Sequence, residues 1–323
     1  MKYSILIALT ISSIIVTAQN SLKIETSDID NFWLAVDQLE KATTRDDSIN
    51  LIQKNYIDLA TPEFQKFIKA RNFTAAEYVD LLADYPEFWK SIKPLTVKIG
   101  DRKEEIELVM QELSTVLPDF KTPNVCFAIG CLRTGGTTTK DLILIGSEIA
   151  AADSTVIKTE LSSWLNQIIG TNGDIVSMVA HEAVHTQQSG FPLQDIFSLI
   201  KHKNLSLLNA SIMEGSCDFI TDRYLDLNIN SSIHLYGNLH HCELFEEFRS
   251  SIDVSPFDYT NFLYNGGRST ERPADLGYYI GYKITEDYFN KSTDKENALK
   301  TILKIGKYKK VYKESKFQSE HCD

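Results

Sequence analysis

The chain has 323 residues, of which 43% are hydrophobic and 24% are charged, so it is long enough to bury a sizeable core in one large domain or in two lobes. Its formal net charge is -11 at pH 7 and its pI is near 5.2. This balance argues against a nucleic-acid partner, which would require clustered and unopposed lysine and arginine.

The first 18 residues have the pattern of a secretory signal peptide. Lys2 supplies a positive charge, Ile5 to Val16 form an apolar stretch, and Val16-Thr17-Ala18 is a small-residue cleavage site. A membrane anchor is the alternative, but this apolar stretch falls well short of the roughly 20 residues that span a bilayer. We expect an exported protein, secreted or periplasmic, with no integral membrane span after cleavage.

All five cysteines follow the cleavage site, namely Cys126, Cys131, Cys217, Cys242 and Cys322. An odd number in an exported chain leaves at least one thiol unpaired. Cys126 and Cys131 are predicted to lie on one strand, where their odd separation puts the side chains on opposite faces and argues against a bridge. Cys217 with Cys242 is the one pairing to test.

Residues 19–118 are predicted to form an N-terminal helical lobe, ahead of a second region at residues 119–323. From Asn31 to Leu117, apolar residues recur at spacings of three and four, which is typical of helices that bury one face. Thr61-Pro62 and Tyr85-Pro86 mark helix starts or breaks, because proline is tolerated in the first turn of a helix and disfavours helix in the residue before it.

A small sheet and further helices are predicted after Pro118. The short β-branched runs Asn124 to Ile129 and Leu142 to Ile145 indicate strands of a hairpin or small sheet, separated by a loop that contains Gly135 to Thr139. Helices are then expected in these ranges: Asp174 to Asp226 in two pieces that break near Gly190, Pro273 or Asp275 to about Asn290, and Asp294 to about Ile305.

The segment His181-Glu182-Ala183-Val184-His185 carries the chemistry. Two histidines four residues apart on a helix lie on one face, one turn apart, where they can share a metal ion. Neutral imidazole suits zinc, and a carboxylate beside the ion can take a proton from an attacking water. A chance match and a pair of buried structural histidines are the alternatives. We predict one zinc ion held by His181 and His185, with Glu182 as general base.

A catalytic zinc site needs a third protein ligand and an open fourth position. Glu214 follows His185 by 29 residues in the next predicted helix, which allows an antiparallel return, and we predict it as that ligand. Asp218 lies four residues further along the same face and is predicted to accept the outer N–H of a ligating histidine. Cys217, Asp218 or His234 could replace Glu214, and a solvated acidic face is the alternative role for the pair.

With these residues in place, the chain resembles the gluzincin metallopeptidases. The matching motifs are the two histidines with Glu182 between them, and Glu214-Gly215 with Asp218. It also resembles a family of predicted secreted zinc proteases of Bacteroidetes-type bacteria, with these further stretches in common: Ile129-Gly130, Gly135-Gly136-Thr137, Leu144-Ile145-Gly146-Ser147-Glu148 and Arg272-Pro273-Ala274-Asp275-Leu276-Gly277-Tyr278-Tyr279-Ile280-Gly281-Tyr282.

The gluzincin resemblance implies a substrate-binding sheet edge and an oxyanion donor. Leu142 to Gly146 precedes the metal helix in the order expected of a strand that pairs with an extended peptide, although a covered hairpin is equally compatible. The donor in this class is usually a tyrosine or a histidine, and five candidates stay open: Tyr278, Tyr279, Tyr282, His240 and His241. Gly277 and Gly281 are interpreted as marks of tight helix packing.

The sequence therefore predicts a mainly α-helical α+β protein with a zincin-like (gluzincin) core, a small β-sheet and flanking helical lobes that enclose a cleft. The predicted activity is zinc-dependent hydrolysis of peptide bonds in a peptide or protein substrate. Two alternatives from other classes are a zinc hydrolase that acts on a different amide or ester, and a catalytically silent envelope or interaction protein.

Overall fold

The computed structural model of the protein describes residues 22–170, 174–190, 205–254, 259, 261–266, 272–315 and 317. The predicted signal peptide and Cys322 lie outside these residues. Six α-helices lie between residues 27 and 116, in agreement with the predicted helical stretch, and Pro62 and Pro86 each lie in the first turn of one of them. They are α1 (Ser27–Asp37), α2 (Arg45–Ile52), α3 (Pro62–Arg71), α4 (Ala75–Asp84), α5 (Pro86–Thr96) and α6 (Lys103–Val116).

Four strands form one mixed sheet in the order β1-β2-β4-β3. β1 pairs with β2 and β2 pairs with β4 in parallel, whereas β3 pairs with β4 antiparallel. All five residues of β4 are buried, as expected of a parallel strand covered on both faces. The strands are β1 (Ile24–Glu25), β2 (Asn124–Ala128), β3 (Gly136–Thr138) and β4 (Leu142–Gly146).

The strand order decides between two roles that the sequence left open for Leu142 to Gly146. β4 has neighbours on both sides, so it is the covered strand of a hairpin and not a substrate-binding edge. The stretch predicted as a loop contains β3, which forms the hairpin with β4 and is itself an edge of the sheet that the described residues form. An edge strand keeps one row of backbone donors and acceptors unpaired within its sheet.

The helices after the sheet pack against the same hydrophobic core as the first six. Within the described ranges, no helix combines the length and apolar character that crossing a bilayer requires. The later helices are α7 (Ser147–Ala150), α8 (Ser163–Ile168), α9 (Ile175–Gln187), α10 (Leu207–Leu225), α11 (Ser231–Leu239), α12 (His241–Arg249), α13 (Gly277–Lys291), α14 (Lys295–Ile302) and α15 (Tyr308–Ser315).

The start of α13 differs from the prediction. The sequence placed it at Pro273 or Asp275, but α13 begins at Gly277 because Asp275 has a φ of 60°, in the left-handed region. Asp275 instead accepts a hydrogen bond from the backbone N–H of Tyr264 at 2.5 Å. The predicted helix start is therefore a tight turn that holds a neighbouring loop.

Buried polar groups join the first helices to the end of β2. The hydroxyls of Tyr56 and Tyr78 both donate to the carbonyl oxygen of Ile129, at 3.0 and 2.6 Å. Nearby, the buried carboxylate of Glu148 accepts the backbone N–H groups of Gly130 and Leu132, although burial raises the pKa of this carboxyl to about 7. These contacts fix the turn that leads toward β3. The division of the chain at residue 118 stays a prediction.

The cysteines partly match the sequence analysis. Cys126 and Cys131 are both free, in agreement with the prediction that no bridge joins them, but Cys131 lies beyond β2 in a turn with a φ of 56°. The proposed bridge between Cys217 and Cys242 is wrong, because Cys217 is a buried free thiol. Cys242 is disulfide-bonded. Cysteine spacing alone could not supply this connectivity.

α10 and α13 approach so closely that glycine is required at the crossing. A Cβ on Gly281 would lie 1.7 Å from the carbonyl oxygen of Ser211, and one on Gly215 would lie 2.1 Å from the backbone nitrogen of Tyr282. The interpretation of Gly281 as a mark of tight helix packing is confirmed. Glu214 is on α10, so the close crossing of α10 and α13 also fixes the position of Glu214.

We predict that Gly281→Ala destabilises the fold by at least about 3 kcal/mol, because the added methyl meets backbone rather than a side chain that can move. Gly306→Ala is the matched control, since a Cβ there meets nothing within 4 Å. Chemical denaturation of both variants measures the difference. Equal stabilities would contradict the packing argument.

Candidate metal centre

α9 presents the two histidines of the motif on one buried face. The helix begins at Asp174, whose carboxylate accepts the backbone N–H of Ser177 at 2.9 Å as an N-cap. His181 and His185 are both buried, and their Nε2 atoms lie 3.1 Å apart. The spacing of four residues therefore brings two nitrogen atoms to one point, as a shared ion requires.

Glu214 completes a triangle with these nitrogen atoms. Its Oε2 atom lies 3.0 Å from His185 Nε2 and 3.5 Å from His181 Nε2. A tetrahedral zinc ion with bonds of about 2.0–2.1 Å separates its ligand atoms by about 3.3 Å, which these three distances bracket. Two imidazoles and one carboxylate are also a donor set that zinc accepts, so the residues present fit a zinc ion.

The outer nitrogen of each histidine has a polar neighbour. Asp218 Oδ1 lies 2.8 Å from His181 Nδ1, and the side-chain amide of Asn230 donates to Asp218 Oδ2 at 2.8 Å. Gln188 Oε1 lies 3.0 Å from His185 Nδ1, while its Nε2 donates to the carbonyl oxygen of Met213. Such neighbours fix the ring orientation and leave both Nε2 atoms directed at one point.

The cluster carries more negative than positive charge. Glu214 and Asp218 are buried and Glu182 is partly buried, so three carboxylates surround two imidazoles that are neutral when they bind a metal. Burial lowers the pKa of His181, but Asp218 and Glu214 outweigh it and raise the pKa to about 10. The site therefore favours a bound cation, either protons or a divalent metal ion.

Cys217 is the main rival for the third ligand position. Its Sγ atom can form a group with the histidine nitrogens in which all three atoms lie within 4.8 Å of one another. However, Sγ lies 3.5 Å from both Gln188 Nε2 and the Met213 carbonyl oxygen, and Cys217 does not line the cavity at the site. Burial raises the pKa of this thiol well above its ordinary value. Glu214 does line the cavity, and its shorter distances favour it.

The remaining alternatives for the third ligand are directed elsewhere. Asp218 is held at the outer side of His181, and His234 Nε2 lies 3.7 Å from Asp218 Oδ2. The solvated acidic face is also excluded for Glu214 and Asp218, because both side chains are buried.

Tyr264 is a site residue that the sequence analysis missed. Its hydroxyl donates to Glu214 Oε1 at 2.9 Å, which leaves Oε2 for the histidine side of the site. The residue has a φ of 54° and is held through its backbone N–H by Asp275; it is 44% exposed and lines the cavity at the site. No local pattern marks it, because it stands on a loop 50 residues after Glu214.

The site opens into a cavity of about 790 Å³. Glu182 lies at its wall against β3, where a Cβ on Gly136 would come within 2.6 Å of Glu182 Oε1. Burial raises the pKa of Glu182, and the neighbouring histidines lower it in part. The glycine at this point of the strand therefore makes room for the carboxylate.

Of the predicted oxyanion donors, Tyr278 alone lines this cavity, where its ring stacks on His181 with centroids 6.1 Å apart. The hydroxyl of Tyr279 binds Asn238 and His241, and that of Tyr282 donates to Asp222 at 2.5 Å. Tyr264 therefore joins Tyr278 at the cavity, whereas the other four candidate donors from the sequence do not line it.

Comparison with known proteins gives one match. A family model described as "Predicted Zn-dependent protease (DUF2268)" matches residues 157–305, a range that includes both histidines of the motif, Glu182, Glu214 and Asp218. The chain is thus similar to a zinc-dependent protease family over somewhat less than half of its length. No curated protein and no solved structure matches it significantly.

We predict that the purified protein binds about one zinc ion per chain and that Glu214→Ala loses most of it. Cys217→Ser is the matched control and keeps its zinc, because Sγ contacts Gln188 and the Met213 carbonyl oxygen and Cys217 does not line the cavity. Elemental analysis after zinc is resupplied measures both, with circular dichroism to check folding. Loss of zinc from the serine variant alone would assign the third ligand to Cys217.

Tyr264→Phe is expected to weaken zinc binding by about ten- to a hundredfold, because Glu214 loses the hydroxyl that orients it. Tyr236→Phe serves as the control, since Tyr236 lines the same cavity and stacks on His240. Competition with a chromophoric chelator gives both affinities. Equal affinity in the two variants would show that the hydroxyl does not orient Glu214.

Proposed function

We propose that the protein is a zinc-dependent peptidase of the gluzincin type. The observation that carries this proposal is the convergence of His181 Nε2, His185 Nε2 and Glu214 Oε2, each 3.0–3.5 Å from the other two, at the wall of a cavity that also contains Glu182. The match to a zinc-dependent protease family over the same residues supports it.

His181, His185 and Glu214 would hold the ion, while Asp218 and Gln188 orient the two rings. When bound, zinc supplies a Lewis acid that polarises a carbonyl and lowers the pKa of water.

Glu182 acts as the general base in this proposal. Its carboxylate takes the proton of the attacking water and then delivers it to the leaving amine, so that peptide C–N cleavage releases a carboxylic acid and an amine. Its position in the wall, partly exposed to the cavity, lets both proton transfers occur next to the bound substrate. Burial raises the pKa of Glu182, and the charge of Arg71, which also lines the cavity, offsets a small part of this rise.

β3 is proposed to bind the substrate backbone. It is an edge strand, and its residues line the cavity next to Glu182. An extended peptide can add to such an edge through main-chain hydrogen bonds that do not depend on its sequence. This arrangement suits an amide substrate in an extended chain better than a small ester or amide.

The proposal includes export, on the strength of the N-terminal sequence alone. The substrate would then be a peptide or protein outside the cytoplasm, and the acidic chain offers no surface composition suited to nucleic acid.

We predict that Glu182→Gln lowers kcat for peptide cleavage by at least about 100-fold while about one zinc ion per chain is retained. Glu243→Gln, on an exposed side chain of α12, is the control and keeps full activity. The assay is cleavage of an unstructured protein, with and without chelator, by the zinc-loaded variants. Full activity in Glu182→Gln would refute the mechanism, and zinc binding without any cleavage by the wild type would favour a non-peptidase hydrolase or a silent binding protein.

A further inference from the structure

The cavity has an apolar wall next to the proposed general base. The four residues of this apolar wall are Ile149, Trp164, Ile168 and Met178, which come from three helices and line the same cavity as Glu182. None of them has a role in the proposed chemistry.

Met178 places the apolar wall beside the reacting groups. It precedes Glu182 by four residues on α9, so the two side chains lie on one face of that helix, one turn apart. A Cβ on Gly135 would lie 2.7 Å from Met178 Cε and 3.4 Å from Ile149 Cγ2, so both side chains reach the residue that precedes β3. A peptide bound along β3 would therefore bring a side chain against this wall.

α8 has two apolar faces: one belongs to the core, and the other packs against the core while it also lines the cavity. Leu165 is 5% exposed and belongs to the hydrophobic core, as does Ile169 just after the helix. Trp164 and Ile168 are four residues apart on another face, are only partly buried, and line the cavity. Apolar side chains left open to a cavity gain free energy when an apolar ligand covers them.

The four side chains of the apolar wall carry no charge, although Glu182 lies next to Met178 and other charged residues line the same cavity. Of these, Glu214 is held at the two histidines, and Arg71 donates to Thr134 Oγ1 at 3.0 Å. The wall itself contains no side chain that could pair with a charged residue of the substrate, so binding such a residue there would cost its desolvation.

We propose that the apolar wall binds a large apolar side chain next to the scissile bond, so that the enzyme cleaves peptides that carry an aromatic or large aliphatic residue at that position. This inference rests on the proposed function. It specifies the substrate class through one subsite, whereas β3 contacts only the backbone of the peptide.

The first test is cleavage of blocked hexapeptides randomised at the two residues that flank the central amide. Wild-type enzyme is expected to favour a large apolar residue over alanine or aspartate by about ten- to a hundredfold in kcat/KM at one of these positions. In Ile168→Lys this preference falls by about tenfold, and kcat/KM rises for peptides with an acidic residue at that position. Ile157→Lys, at a 39% exposed isoleucine outside the cavity, is the matched control and keeps the wild-type preference.

The second test does not depend on turnover. The chain has three tryptophans, and Trp33 and Trp89 are 5% and 3% exposed, so acrylamide quenching reports mainly on Trp164. On the zinc-loaded Glu182→Gln protein, a blocked hexapeptide with phenylalanine at the selected position should protect this fluorescence, and its aspartate counterpart should not. Trp164→Phe removes the signal.

The two tests separate the two proposals. Cleavage without an apolar preference, unchanged in Ile168→Lys, overturns the subsite and leaves the peptidase. If the wild-type enzyme cleaves no peptide, the proposed function fails, and the quenching result alone decides the subsite. In that case the subsite is overturned if the phenylalanine and aspartate peptides protect the Trp164 fluorescence equally. It is also overturned if neither peptide protects the fluorescence, whichever position of the hexapeptide carries the tested residue.

Discussion

The confinement of three carboxylates and two imidazoles between α9 and α10 is the constraint on which the rest of the structure depends. Isolated buried charges are costly, and the cost falls when they lie next to a cation and to hydrogen-bond donors. Asn230 and Tyr264 supply such donors to Asp218 and Glu214. The close crossing of α10 with α13 then holds the acidic helix in place.

The parts of the site that the sequence predicted are those set by helix periodicity. His181 with His185 and Glu214 with Asp218 are each four residues apart, so a helix alone places each pair on one face. The structure brings the two faces together with the distances that a shared ion needs. Their roles as ligands and neighbours of the metal stay proposals, because they rest on geometry and chemistry.

The parts that the sequence could not predict depend on contacts between distant segments. The order of the strands makes β3 an edge and encloses β4, and the apolar run of Leu142 to Ile145 is equally compatible with either position. Tyr264 reaches Glu214 from a loop with left-handed backbone geometry, and the turn at Asp275 that holds this loop looked like a helix start. Proline and aspartate suit both structures, so local propensity could not decide between them.

β3 is only three residues long, so its backbone alone cannot fix the register of an extended chain that pairs with it. Backbone pairing repeats every two residues, so an extended chain could shift along this edge in steps of two and form the same hydrogen bonds each time. A short strand cannot distinguish these registers by counting bonds. In the proposed peptidase, the choice of the peptide bond that stops beside Glu182 would then come from side chains on one face of the bound chain, and the cleavage point would depend on how the substrate is aligned more than on how tightly it binds.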